Sequence, residues 1–339
     1  MNDDLLKWYL SFDGYDEDEF KKLDTIRDEA GVERAEGFTE LTQKFMDRML
    51  YCNINSKNRY IRFDESGTAI IRKIFKKEVD DDTLVITTNY EHTAVQECVQ
   101  NCSNVYKFDM DKIRNYETNE VIFLAKKYKK VFVYIIGTSL ASGEIIPQLF
   151  FDQLKQELTK YNIPHKIVID DVHGMFITPR DYSMFDYVLY TAHALVPGYN
   201  MGMLISKTDD IGFTYYDWGD KYLERLDIVL KRRAKIMMFK NVMLQLLNKT
   251  FCNKKYFRYY DYTTNHIFAV ETKELYFTKE EYDKLHSYRI RITKEPSYYS
   301  WIRIRYQELT KQPYEKAIEG LHYLDRLIKT KIMIVEMRE

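Results

Sequence analysis

KIVIDDVHGMFITPRDYSMFDYVLYTAHALVPGYNMGMLISK, residues Lys166–Lys207, alternates short apolar runs with clusters of acids, histidines and glycines. The apolar runs are Ile167–Ile169, Tyr187–Tyr190 and Met203–Ile205. Short runs rich in β-branched or aromatic residues are typical of buried strands. In α/β proteins, functional groups gather where such strands end and loops begin. The polar clusters therefore predict a functional site at one edge of a sheet.

Two polar units follow the first two predicted strands directly. Asp170 and Asp171 come after the first strand, and Thr191 and His193 come after the second. We favour Asp170 as the functional acid, because Asp171 points away along the strand and suits a turn or a helix cap. A metal site is disfavoured, because these acids and His173 have no third ligand at local spacing.

The order of these motifs resembles the pyridoxal-phosphate (PLP) enzymes of fold type I, closest to the class V aminotransferase and cysteine desulfurase branch. The motifs are Asp170-x-x-His173-Gly174, Thr191-x-His193, and the glycines Gly198 and Gly202. The resemblance implies an α/β fold with a three-layer, mostly parallel large domain and a smaller α+β C-terminal domain. It divides the chain into an N-terminal helical segment (1–50), a large cofactor-binding domain with a bridging helix (51–250) and a small domain (251–339).

The resemblance also implies roles at the cofactor ring. Asp170 faces the pyridine nitrogen and keeps it protonated, which makes the ring an electron sink. His92 stacks on the ring, with Tyr90 as the reserve, and His173 contacts the phenolic oxygen. The residues alone leave another interpretation of His92 open, as a polar residue that starts a helix.

Further residues match the phosphate and substrate positions of the family. The phosphate ligands are Ser66, Gly67, Thr68, Thr191 and His193. Small residues at a helix start attract anions, although an ordinary N-cap by Ser66 or Thr68 would have the same sequence.

Three more positions complete the implied site. Thr138 and Ser139 approach the phenolic oxygen and the substrate, although a plain turn would look the same. Arg303 binds the substrate carboxylate through two parallel hydrogen bonds, with Arg305 as the alternative. A surface ion pair is the competing interpretation of Arg303.

Ala194 is the largest departure from the family pattern, because it stands where the Schiff-base lysine is expected. Three explanations are open. A lysine has been replaced by alanine in this sequence, or the protein is naturally lysine-free and binds the cofactor non-covalently, or another lysine substitutes. Lys207 follows the next strand and is expected at the wrong end of the sheet.

The expected activity is aminotransferase-like, on an amino acid or an amino-bearing metabolite, and Ala194 is expected to inactivate it. A desulfurase is disfavoured, because no cysteine follows Cys252. The alternatives are a PLP-dependent decarboxylase or lyase, and a non-catalytic PLP-fold protein.

Composition limits the classes of partner that the chain is expected to bind. The chain has 339 residues and a formal charge of -1, which gives no electrostatic case for nucleic acid or a membrane surface. The N-terminus lacks the form of a signal peptide, and no apolar run approaches the roughly 20 residues of a membrane span. A cytoplasmic location is expected. The resemblance adds a homodimer that shares its active sites.

Overall fold

The structure is a computed structural model that forms two compact units, one around a seven-stranded sheet and the other around a four-stranded sheet. It describes residues 60–64, 66–139, 143–174, 180–191, 202–208, 211, 247–253, 255–259, 267–272, 275–294, 300–305, 312 and 314–338. The predicted N-terminal segment 1–50, most of the bridging helix, and His193, Ala194 and Gly198 lie outside the described residues. The predicted domain boundaries stay a prediction.

The large sheet is mostly parallel. Its strands are β1 (Tyr60–Asp64), β2 (Thr83–Thr88), β3 (Val105–Phe108), β4 (Lys130–Ile136), β5 (His165–Asp170), β6 (Tyr187–Thr191) and β7 (Gly202–Ser206). Their order across the sheet is β1-β7-β6-β5-β4-β2-β3. Strand β7 runs antiparallel to both of its neighbours, and the other six strands share one direction.

Helices cover both faces of this sheet. They are α1 (Gly67–Glu78), α2 (Thr93–Gln100), α3 (Met110–Arg114), α4 (Asn119–Ala125) and α5 (Gln148–Lys160), with a short 3-10 helix at Tyr182–Met184.

Alternate residues of β4 show how the layers form. Phe132 and Tyr134 pack against Phe75 of α1 in a cluster that also includes residues of α2. The intervening residues 131, 133 and 135 are also buried, on the opposite face. Helix α5 buries an apolar face of its own, and its Phe150 packs against Phe108 of β3. The predicted three-layer, mostly parallel α/β architecture is confirmed.

The second unit is built on an antiparallel sheet. Its strands are β8 (Phe257–Tyr259), β9 (Ile267–Thr272), β10 (Ile290–Lys294) and β11 (Ser300–Arg305), in the order β10-β11-β9-β8. Helix α6 (Lys279–Ser287) begins with a capping box between Thr278 and Glu281, and the long helix α7 is Tyr314–Glu336. Among the described helices, none is long and apolar enough to cross a membrane.

Candidate functional site

One edge of the large sheet carries a cavity of about 250 Å³. Strands β1, β2, β4, β5 and β6 end at this edge, and the antiparallel β7 begins there, since Thr191 pairs with Gly202 and Gly202 with Asp64. The cavity is slightly smaller than typical small-molecule sites, which start at roughly 300 Å³. Seven of the predicted site residues line it: Ser66, Gly67, Thr68, His92, Asp170, His173 and Thr191.

Asp170 presents a buried carboxyl group to this cavity and has no positive partner among the described residues. Oδ2 accepts a hydrogen bond from the hydroxyl of Tyr134 at 3.0 Å, and Oδ1 accepts one from the backbone N–H of Val172 at 3.3 Å. Burial raises the pKa of Asp170 to about 7, because these hydrogen bonds only partly offset the lost hydration. A cation that entered the cavity would favour the ionised carboxylate.

The side chain of Asp171 makes buried contacts that its sequence position did not predict. It does begin a turn, since its carbonyl accepts from the N–H of Gly174 at 3.0 Å. Its side chain is fully buried, however, where it accepts from the hydroxyl of Tyr182 and pairs with Arg180, whose Nε lies 3.5 Å from Oδ2. Arg180 also donates to the carbonyls of residues 137 and 146 at 3.1 and 3.0 Å. The neighbouring acid Asp171 therefore pairs with the buried arginine, and Asp170 has no arginine partner in the part of the chain that the structure describes.

Glu91 is a second buried acid that the sequence analysis did not single out. Its Oε1 accepts from the Thr88 hydroxyl at 2.6 Å and from the backbone N–H of Ile136 at 3.1 Å. Ile136 lies directly opposite Asp170 in the sheet register. Burial raises the pKa of Glu91 to about 8, and the negative charge of Asp170 adds to the shift. The sequence offers no direct signal for this role, because the N–H that Glu91 accepts from is 45 residues away.

The start of α1 forms the other end of the cavity. The Ser66 hydroxyl accepts from the N–H of Ala69 at 3.1 Å, so the predicted N-cap is present. The N–H groups of Gly67 and Thr68 precede the first intrahelical hydrogen bond, which runs from residue 70 to residue 66 at 3.3 Å. Both residues line the cavity, so the cap and an anion site at this helix start are compatible.

Close packing fixes this helix start against two strands. A Cβ atom on Gly67 would lie 2.4 Å from Cγ2 of Thr191, and one on Gly202 would lie 2.6 Å from the carbonyl of Ser66. Only glycine allows these approaches. Thr191 is buried, and its hydroxyl has no hydrogen-bond partner among the described residues. A buried hydroxyl of this kind, beside free N–H groups, matches an oxyanion.

His92 caps α2 and also lines the cavity. Its Nδ1 accepts from the N–H of Ala94 at 3.2 Å, so the proton of the neutral ring is assigned to Nε2. Partial burial lowers the pKa of His92, which favours a neutral ring at physiological pH. Tyr90 does not line the cavity, whereas the buried His173 does.

The remaining predicted residues are placed as follows. Thr138 and Ser139 are buried beyond the end of β4 and are not among the residues that line the cavity, although the Thr138 hydroxyl has no partner among the described residues. Arg303 lies in β11 of the second unit, opposite Arg291 and Ala269, and its side chain is not described.

The described lysines do not reach the cavity. Lys207 donates to the carbonyl of Met184 at 3.2 Å and to Asp186 at 3.3 Å, both of which precede β6. It therefore lies at the opposite edge of the sheet from Asp170, as the sequence predicts. No lysine or arginine is among the described residues that line the cavity. The described residues also contain no group of three or more His, Cys, Asp or Glu that could hold a metal ion.

Comparison with known proteins identifies structural relatives only. No protein-family model and no curated protein matches the sequence. A NifS-like protein from Rickettsia africae ESF-5 matches with a TM-score of 0.67 at 14% identity, over 93% of this chain and 95% of that one.

Two other solved structures have similar scores. A serine palmitoyltransferase from Sphingomonas wittichii gives 0.63 at 12% identity, over 90% of this chain and 81% of that one. A PLP-dependent aminotransferase from Streptococcus suis 89-1591 gives 0.64 at 13% identity, over 86% and 82%. At these identities the likeness shows the fold.

The two adjacent carboxylates predict opposite effects on stability. Asp171→Asn should lower the free energy of unfolding by about 3–5 kcal/mol, because it leaves the Arg180 guanidinium buried without a charge partner. Asp170→Asn should instead raise it, by up to about 4 kcal/mol, because the folded pKa of Asp170, about 7, lies above its ordinary value of 3.8 and the parent must take up a proton or bury a charge when it folds at neutral pH. Urea denaturation of both variants and the parent at neutral pH measures the difference. Equal losses in the two variants would contradict this division of roles.

Because Glu91 titrates with a raised pKa, we expect the free energy of unfolding to depend on pH. Its folded pKa of about 8 lies above the ordinary value of 4.5, so its contribution is fully present below about pH 4.5 and is lost as the pH rises through about 8. Glu91→Gln keeps an acceptor for Thr88 and Ile136 but removes the titration. The parent should therefore lose stability relative to this variant between about pH 5 and about pH 9, by several kcal/mol at about 1.4 kcal/mol per pH unit of pKa difference.

Urea denaturation across this pH range compares the parent with Glu91→Gln, and Glu97→Gln serves as the control. Glu97 is an exposed acid on α2 that pairs with Arg72, so its replacement should matter by less than about 0.5 kcal/mol at any of these pH values. A constant difference between the parent and Glu91→Gln across the range would show that Glu91 does not take up a proton on folding.

Proposed function

We propose that this chain binds pyridoxal 5'-phosphate in the cavity at the sheet edge and belongs with PLP-dependent enzymes that act on an amino acid or an amino-bearing metabolite. The observation that carries this proposal is the Asp170 carboxyl, which is buried, lines the cavity and has no cation beside it among the described residues. The fold shared with a PLP-dependent aminotransferase supports it.

The described residues fit the two charged ends of the cofactor. Asp170 would hold the pyridine nitrogen in its protonated form, and the pairing would restore the interactions that the carboxylate lost on burial. The N–H groups of Gly67 and Thr68 would hold the phosphate, with the hydroxyl of Thr191, which has no partner among the described residues. His193 is proposed as a further phosphate ligand.

The remaining lining residues suit the flat ring. His92 would stack on one face, since its cap hydrogen bond fixes the position of the imidazole. His173 would contact the phenolic oxygen, and Thr138 and Ser139 stay proposals for the same side of the site. Arg303 is proposed to bind the substrate carboxylate.

When bound, PLP supplies a ring that withdraws electrons from the substrate α-carbon. Tyr134 donates to Asp170, which keeps this carboxyl group oriented at the end of β5. Among PLP reactions we propose an aminotransferase-like one, with decarboxylation or a lyase reaction as the alternatives. In each of these reactions a lysine at position 194 would carry the proton. The methyl side chain of Ala194 cannot accept or donate one.

A second candidate function is non-covalent PLP binding without catalysis. It is favoured by Ala194 in the sequence and by the absence of lysine among the described residues that line the cavity. A homodimer with shared sites and a cytoplasmic location remain part of the proposal.

Titration of the protein with PLP tests cofactor binding and needs no turnover. Absorbance and tryptophan fluorescence should report saturable binding, and Asp170→Asn should weaken it about tenfold or more, because a charge-assisted pair with the ring nitrogen is lost. Asp186→Asn is the matched control, since Asp186 stands at the opposite edge of the same sheet. Absent binding, or equal affinity in parent and Asp170→Asn, would refute the proposal.

Restoring the lysine separates the two candidate functions. Ala194→Lys should acquire a visible absorbance band with PLP and, after borohydride reduction, the added mass of one cofactor. Incubation with amino acids should then release a keto acid for aminotransfer, or carbon dioxide for decarboxylation. Cofactor attachment without product from a panel of amino acids would favour the non-catalytic function.

A further inference from the structure

The second unit contains a separate basic concavity of about 290 Å³. It is lined by His286, Ser287, Arg289, Arg291 and Lys316. These residues come from the end of α6, the turn that follows it, strand β10 and the first turn of α7. No acidic residue is among them, so three permanent positive charges and one titratable histidine face the same space.

The charge balance of this concavity differs from that of other described surfaces. The chain has 51 basic and 52 acidic residues, and two lysines of helix α7 form ion pairs. Lys331 lies 2.7 Å from Glu281, and Lys329 lies 2.6 Å from Asp325. Arg291 and Lys316, in contrast, are exposed and have no side-chain partner among the described residues. Their charges are available to a ligand.

Acids near the concavity are engaged elsewhere. Glu319, one turn along α7 from Lys316, accepts a hydrogen bond from the hydroxyl of Tyr288. Glu281 is held by Lys331 and by the capping box of α6. Glu315 precedes Lys316 but does not line the space. The positive potential is therefore only partly compensated by neighbouring carboxylates.

The turn that carries Arg289 is held in place. Arg289 has a backbone φ of 60°, a left-handed conformation that is uncommon for a residue with a side chain. The preceding Tyr288 is buried, and its carbonyl accepts from Nε2 of Gln312 at 3.1 Å. Its ring packs against Gly320 so closely that a Cβ there would lie 2.5 Å from the tyrosine Cβ. The backbone that carries Arg289 is thus in place before any ligand arrives.

The geometry points to a binding site for the phosphate group of a small molecule in this concavity. Two guanidinium groups and an ammonium from different elements match a dianion with several acceptor oxygens better than a single carboxylate. Lys316 lies in the first turn of α7, where the helix dipole adds to the positive potential. This concavity and the proposed PLP cavity share no described lining residue.

Calorimetric titration of the full chain with inorganic phosphate and with pyrophosphate, at low ionic strength, tests this site. The parent should bind both, pyrophosphate more tightly, and added sodium chloride should weaken binding. Arg291→Gln and Lys316→Gln should each weaken binding about tenfold, as loss of one charge-assisted contact implies. Both side chains are exposed and have no partner in the described part of the chain, so circular dichroism and thermal unfolding should match the parent.

Arg326→Gln and Lys279→Gln are the matched controls, since both residues are exposed on α7 and α6 and lie outside the concavity. They should bind phosphate like the parent. Titrations with glycerol 3-phosphate and with ADP then distinguish a simple phosphomonoester from a nucleotide, and tighter binding of either than of inorganic phosphate supports the site.

Three results would overturn the inference. The first is no saturable binding of pyrophosphate by the parent. The second is equal weakening in the control variants, which would indicate diffuse attraction to the surface. The third is binding that survives Arg291→Gln and Lys316→Gln but is lost in Gly67→Ala, which would place the anion in the cavity at the sheet edge.

Discussion

The site depends on one constraint, a buried carboxyl group that has no cation beside it among the described residues. Asp170 lies at the buried end of β5, where sheet register fixes it between Ile136 and Leu189. Its partners are a tyrosine hydroxyl and one backbone N–H, which stabilise a carboxylate far less than an arginine does. Among the described residues, the buried carboxyl group of Asp170 therefore lacks a stabilising positive charge, and it lies beside a cavity.

The described residues around Asp170 do not supply this positive charge. Arg180, the buried guanidinium near this edge, is fixed by Asp171 and two backbone carbonyls. Glu91 adds a second acid on the far side of Ile136, which raises the energetic cost of ionising both carboxyl groups without a counter-charge. A ligand with a cationic ring and a phosphate would satisfy Asp170 at one end and the start of α1 at the other.

Local sequence was sufficient for much of this arrangement. The runs Ile167–Ile169, Tyr187–Tyr190 and Met203–Ile205 lie within β5, β6 and β7. Short runs rich in β-branched and aromatic residues, bounded by polar clusters, favour buried strands. The placement of Asp170 and Thr191 at one edge follows from parallel pairing alone. Ser66 was recognisable as a helix cap for equally local reasons.

Sequence patterns did not predict the long-range contacts of the site. The ion pair between Asp171 and Arg180 depends on how a loop returns to the sheet, and nothing in the spacing of the two residues marks it. The burial of Glu91 depends on an N–H of another strand. The basic concavity was missed for the same reason, since Arg291 and Lys316 meet only after the chain folds.

Nitrogen NMR of bound PLP labelled at its ring nitrogen tests the central claim most directly. If Asp170 keeps a ligand ring positively charged, the ring nitrogen should be protonated in the parent protein at about pH 8 and unprotonated in Asp170→Asn. The same ring-nitrogen signal in both proteins, or an unprotonated ring in the parent, would contradict the account.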